Sequence, residues 1–280
     1  MAFAAGFVPG ARLAGRVDEA GVLRLAFAVP LGLGLIAQAF FLVGIAGEFG
    51  AGAIGVVALL ALIAGVRHRA AAGADVAAVL AGGWVRRPLF WGLAAGALAG
   101  PAWLALYPPV SWDDTIYHLP LARSLVEHGR YLFVGNLRLP VFPLLGETLF
   151  APALLCGRAS TAHGVSLVAT GATAILLLAW GAGRFADFRR QNGSLRWALA
   201  PAAIWIGQPI VVFYAGSSFI EPLLTLFATA SILAFERWRD ESKEPGEPSD
   251  RGGRRWAWLL AAGAFAGWAA ATKYLGLYLV

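Results

Sequence analysis

Residues 25–46 read LAFAVPLGLGLIAQAFFLVGIA, an apolar run of 22 residues with no charged side chain. A helix of about 20 such residues crosses a hydrocarbon layer about 30 Å thick, and inside that layer only helices or closed barrels satisfy their own backbone groups. Further apolar runs occupy 51–66, 89–107, 161–183, 197–214, 218–236 and 256–280. Seven such runs predict an all-α, polytopic transmembrane helix bundle. Composition agrees, because 14% of the residues are charged where a soluble domain carries about 25%. The net charge of +6 comes from arginines scattered through short loops, which fits membrane topology and gives no basis for a nucleic-acid partner. A single cysteine, Cys156, allows no intrachain disulfide. The first 24 residues place their charges between two apolar pieces ahead of a full-length run, so they do not read as a cleavable signal. The chain stops at Val280 inside an apolar run, which reads as a longer protein cut short.

Orientation turns on one further apolar piece, FPLLGETLFAPALLCG at 142–157, which is short and holds Pro143, Glu147 and Pro152. If it does not cross, 17 lysines and arginines share the side of the N-terminus, and the opposite side keeps Arg123, Arg130, Arg138 and Arg158. If it crosses, only 8 lie inside and 13 outside. The excess of basic residues in cytoplasmic loops favours the first arrangement. The segment therefore reads as re-entrant or interfacial, the N-terminus as cytoplasmic, and 108–160 as a long loop on the outer face of a bacterial inner membrane. Within that loop, LPLARSLVEHG predicts a short helix. Pro120 suits its first turn, Leu121, Leu125 and Val126 form an apolar stripe, and Gly129 ends it. Residues 239–255 read as a charged, Pro/Gly-rich linker without packing signal. The chain divides into an N-terminal hairpin over 1–88 and a core over 89–280.

Ionisable groups at membrane depth are expensive and mark function. In this topology Asp113 and Asp114 follow the third run, Glu147 lies in the re-entrant piece, Glu221 opens the sixth run from outside, and Lys273 sits in the outer half of the last. Three acidic positions and a base thus converge on one face. Adjacent carboxylates split their pKa values, so one of the pair can serve as a general base, while a cation can hold a phosphate leaving group. These are the requirements of sugar transfer from a lipid phosphate to a hydroxyl. Tyr117 and His118 fall at i+3 and i+4 from Asp114, on one face if a helix begins that early. No cofactor is demanded, although Asp114 and His118 form a two-ligand candidate for a divalent metal ion. His128 and His163 read as solvated and interfacial, and Tyr107, Trp112 and Tyr131 as aromatics placed for sugar contact.

The stretch DDTIYHLPLARSLVEHG resembles the acidic loop that follows the first core span of GT-C glycosyltransferases, nearest to the aminoarabinose-transferase and protein O-mannosyltransferase-like group. FPLLGETLFAPALLCG, SSFIEPLLTLFATASILAFERW and GAFAGWAAATKYLGL resemble that group's re-entrant segment, second acidic motif and Gly-rich span, in the same order over about 89–280. The resemblance implies an inverting transferase with a polyprenyl-phosphate-linked sugar as donor and a lipid, glycan or protein as acceptor. It gives catalytic roles to Asp114, Asp113 and Glu221, and substrate contacts to Lys273, Arg138, Tyr117, His118 and Glu147. Two positions depart from it. Val141-Phe142-Pro143-Leu144 stands where relatives often have a lysine before the prolines, leaving Arg138 to substitute, and Glu147 stands where an aromatic is common. The competing classes are a multi-span transporter, which would line a path through the bilayer with charge, and a non-catalytic subunit of envelope assembly.

Overall fold

The computed structural model describes residues 19–81, 88–137, 143–155, 157–184, 196–241 and 248–279. Among these, every regular element is helical, as the apolar runs require. Helix α1 (Glu19–Ala46) and α2 (Ala51–Arg67) form a hairpin, followed by α3 (Arg69–Ala81) and α4 (Pro88–Ala105). After α4 the chain makes a wide π turn (Asp114–His118) that leads into α5 (Leu119–His128). Then come α6 (Leu145–Leu155), a 3-10 turn (Ala159–Ala162) and α7 (His163–Arg184). Helices α8 (Arg196–Ile206), α9 (Pro209–Ala215), α10 (Glu221–Glu241) and α11 (Pro248–Thr272) complete the order, with a closing 3-10 turn at Tyr274–Leu279.

The centre of the bundle is α1, α7, α10 and α11. Phe27 of α1 meets Trp258 and Phe265 at ring-centroid distances of 5.2 and 6.0 Å, and Phe227 of α10 meets Trp268 at 5.7 Å. The Ser231 hydroxyl of α10 donates to the Ala262 carbonyl of α11 over 2.9 Å. Helix α2 is different. Val56, Leu59, Leu60, Leu62, Ile63 and Val66 are exposed, an apolar surface of the kind lipid covers.

Among the described residues two stretches, Leu23–Ala46 and Ala159–Arg184, are long and apolar enough to cross a membrane, while Ala51–Arg67, Ala94–Ala105 and Leu145–Leu155 are apolar but shorter. The seven expected crossings are therefore not all present as single full-length helices. The run 197–214 breaks at Gly207-Gln208, because Pro209 disfavours a helical residue before it and starts α9 instead. The run 256–280 ends its helix at Thr272, and Tyr274–Leu279 folds back so that Gly276 packs against the backbone of Ala269. Part of the expected linker 239–255 is helical, since α10 continues to Glu241 and α11 starts at Pro248, where proline suits a first helical turn.

Helix α5 forms as its sequence predicts. Pro120 lies in its first turn, Leu121 and Leu125 are buried, and Gly129 closes it with φ 67°, a left-handed conformation that favours glycine. Helix α6 has 11 residues, a rise of about 16 Å and so about half a hydrocarbon thickness. All seven positions from Leu145 to Ala151 are buried, packed against α5, α1 and α11. The tip of the α1–α2 hairpin holds the same region, where Phe49 N–H donates to the Gly129 carbonyl over 2.8 Å. Tyr131, which lies against Phe41 of α1, shares a 2.6 Å hydrogen bond with Thr148 of α6.

Candidate active site

The π turn sets the site. Its i+5 bond, from Leu119 N–H to the Asp114 carbonyl, widens the backbone enough to bury Asp114, Tyr117 and His118 together. Such turns recur at functional positions. Asp114 is 1% exposed, and neither of its carboxylate oxygens has a hydrogen-bond partner among the described residues. The backbone of Ser218 approaches without hydrogen-bond geometry, and His163 Nε2 stands 3.9 Å from Oδ2. Burial pushes the Asp114 carboxyl up to about 6, with Asp113 and Glu221 adding to the rise and His118 and the Ser218 backbone opposing it. Burial and the Asp113 hydrogen bond likewise push the Tyr117 phenol well above its ordinary value.

A cavity of about 220 Å³ opens beside Asp114, lined by Leu104 in the last turn of α4, Tyr107 just after it, Ser111, His163, Phe213 and Gly216-Ser217. Gly216 is needed there. A Cβ at that position would fall 2.4 Å from Leu104 Cβ and 3.0 Å from the Pro101 carbonyl, so any side chain would push the wall away from α4. A second, apolar cavity of about 630 Å³ lies further along the same helices, between α4 (Ala97, Pro101), α7 (Gly171, Ile175, Leu178) and α8 (Leu199, Ala203). Gly171 lies one helical stretch of about 12 Å beyond His163.

The predicted site residues fall into three groups. Asp113, Asp114, Tyr117 and Glu221 are within electrostatic reach of one another. Glu221 opens α10 and pairs with Lys273 at 2.5 Å, both side chains about one-fifth exposed. His118 and Glu147, expected as substrate contacts, face each other inside the protein. His118 Nδ1–H donates to Glu147 Oε1 over 2.6 Å, and the two side chains are 0% and 2% exposed. Phe150 and Phe219 lie against the His118 ring, so this pair forms the wall behind Asp114. Arg138 lies outside the described residues. Among the aromatics, Tyr107 lines the cavity and Trp112 is exposed, whereas Tyr131 is engaged with Thr148. The sequence reads His163 as interfacial; in the fold it is 2% exposed and faces Asp114. The sequence signal for it is its position at the head of an apolar run.

The pairing of Asp114 with His118 gains no third ligand among the described residues. His118 Nδ1 is committed to Glu147, and among the described residues no group of three or more His, Cys, Asp or Glu side chains is placed to hold a metal ion.

With that geometry in place, comparison with known proteins places the C-terminal part of the chain. Residues 165–280 match the family described as dolichyl-phosphate-mannose-protein mannosyltransferase. This is a family of membrane glycosyltransferases, and the stretch matched includes Glu221 and Lys273. An uncharacterized protein of Shigella flexneri is 51% identical over 53 residues, covering 19% of this chain and 27% of that protein. The chain thus spans about a quarter of that curated relative's length. No solved structure matches.

Proposed function

We propose that this chain is part of an inverting GT-C glycosyltransferase that moves a sugar from a polyprenyl phosphate to a hydroxyl acceptor, with Asp114 as general base. The observation that carries the reading is Asp114 itself. A carboxylate buried at a cavity wall without a cation or donor is costly to keep, and its raised pKa brings it close to the range in which a base works at neutral pH. In this reading the acceptor hydroxyl enters the 220 Å³ cavity and gives its proton to Asp114. Its oxygen bonds to the anomeric carbon while the bond from that carbon to the phosphate oxygen breaks on the opposite face. The lipid phosphate leaves with the electron pair, its charge met by Lys273 and by Arg138. Glu221 holds Lys273 in place, and Asp113 with Tyr117 orders the turn. The 630 Å³ apolar cavity along α4 and α7 receives the start of the prenyl chain.

The division into a hairpin over 1–88 and a core over 89–280 belongs to the same reading, as do the inner membrane, a cytoplasmic N-terminus and a site on the outer face. The acceptor is a lipid, a glycan or a protein, the last being the one in the matched family's description. Membranes from cells expressing the chain test this when supplied with dolichyl-phosphate [³H]mannose. Label passes from the lipid to an acceptor and free lipid phosphate accumulates, in excess over membranes that carry Asp114→Asn. Equal transfer in both membranes contradicts the reading.

A further inference from the structure

The cavity beside Asp114 holds a second titratable group that the scheme above leaves idle. His163 is the first residue of α7, and its Nδ1–H donates to the Ala105 carbonyl at the end of α4 over 3.2 Å. With a proton on Nδ1, the neutral ring presents its lone pair at Nε2. That nitrogen faces Asp114 Oδ2 across 3.9 Å, and neither atom has a hydrogen-bond partner among the described residues. Two buried acceptors facing one another lack the proton that would join them.

A base as buried as Asp114 must also release the proton it takes in each turnover. We propose that His163 Nε2 receives that proton, so that Asp114 and His163 work as one proton-handling pair in which the histidine passes the proton on towards solvent. The proposal rests on Asp114 being the base of the transfer. The steps balance without any change of oxidation state. The acceptor O–H breaks as the Asp114 carboxyl O–H forms; that bond then breaks as Nε2–H forms. The imidazolium keeps Nδ1–H on Ala105 and gives the Nε2 proton to water at the cavity mouth, where Tyr107 and Val110 are exposed. Closing 3.9 Å to a direct hydrogen bond takes about 1 Å of side-chain movement, and a water in the cavity spans the gap equally well.

The other groups facing Asp114 do not offer this route. Asp113 and His118 share its turn, and the His118 ring, 0% exposed and enclosed by Glu147, Phe150 and Phe219, does not line the cavity that leads to solvent. Glu221 faces it from α10, already joined to Lys273. The Ser218 backbone approaches from the turn before α10. On the α4 side the cavity wall is Leu104 and Tyr107.

Infrared titration of the full chain in lipid nanodiscs tests the pairing without any sugar transfer. The protonated-carboxyl band of Asp114 is identified by its loss in Asp114→Asn. If His163 takes the proton, its removal makes Asp114 hold that proton longer. The band then persists to a pH higher by about one unit in both His163→Leu and His163→Asn. The asparagine variant retains a donor towards the Ala105 carbonyl and so preserves the link between α4 and α7. A wild-type titration in His163→Asn overturns the proposal, including when His163→Leu alone shifts the band, because the shift is then a packing effect. Failure here leaves the general-base reading standing, and that reading fails separately if Asp114→Asn transfers sugar normally.

Discussion

Two buried acids at opposite ends of the bundle, Asp75 and Asp114, are held in opposite ways. At the end formed by the start of α1 and the close of α10, each acid has a strong donor. Asp75 of α3 takes two hydrogen bonds from the Arg24 guanidinium, the one from Nε at 2.7 Å. Glu236 accepts from Trp180 Nε1 at 2.7 Å, and Glu241 from Trp258 Nε1 at 3.1 Å. At the other end Glu147 and Glu221 are paired with His118 and Lys273, but Asp114, 1% exposed, has no hydrogen-bond partner among the described residues, and two more carboxylates lie within its electrostatic reach. Pairing of the first kind repays desolvation and ties helices together. A carboxylate left without a partner contributes nothing to stability, and its retention is what a reacting group requires. Burial alone therefore does not separate structural from reactive acids. The partners do.

Substitution at each end breaks or sharpens that contrast. The largest expected effect is on rate: Asp114→Asn lowers sugar transfer by about 10²–10⁴-fold, the contribution of a general base. Its unfolding transition in bicelles stays at or above that of wild type, since an uncompensated acid has been removed. A clear loss of stability with retained transfer would place Asp114 in the structural class. At the opposite end, Asp75→Ala has the reverse signature. Arg24 loses the Asp75 carboxylate and the fold loses about 2 kcal/mol, less than a fully buried pair would cost because the Arg24 side chain is 22% exposed. Transfer per folded molecule is unchanged in an assay normalised to folded protein. The smallest effect is that of Trp180→Phe, which removes one donor from Glu236 and costs about 1 kcal/mol in the same unfolding measurement, with no change in rate.

Much of this arrangement was legible in the sequence wherever it depends on local chemistry. The apolar runs gave the all-helical class, Pro120 and Gly129 bounded α5, and the length of 142–157 matched a helix too short to cross. The break at Gly207-Gln208-Pro209 was written in the same language, but the hydropathy of 197–214 averaged over it. The helical start at Pro248 was hidden because a proline reads equally well as a linker residue and as a first helical turn. What no local reading supplied was pairing. His118 and Glu147 were each singled out as substrate contacts, yet they are 29 residues apart and meet only because α6 is buried against α5. His163 acquires its meaning from Asp114, which reaches it through the folded loop between α4 and α7. The mutual reach of Asp113, Asp114 and Glu221 and the pairing of Glu221 with Lys273 fit the sequence expectation that these groups, with Glu147, share one face.

The central claim is that a buried, partnerless Asp114 accepts the proton in the transfer step, and the pH dependence of kcat/KM reads that group most directly. Ionisation of the free protein controls this quantity, and only the carboxylate form accepts a proton. With Asp114 pushed up to about 6 by burial, kcat/KM for dolichyl-phosphate mannose is level at neutral pH and falls through a limb near pH 6, about tenfold per unit below it. A limb near pH 4, as for a solvated aspartate, or a profile flat through pH 6, would contradict the assignment.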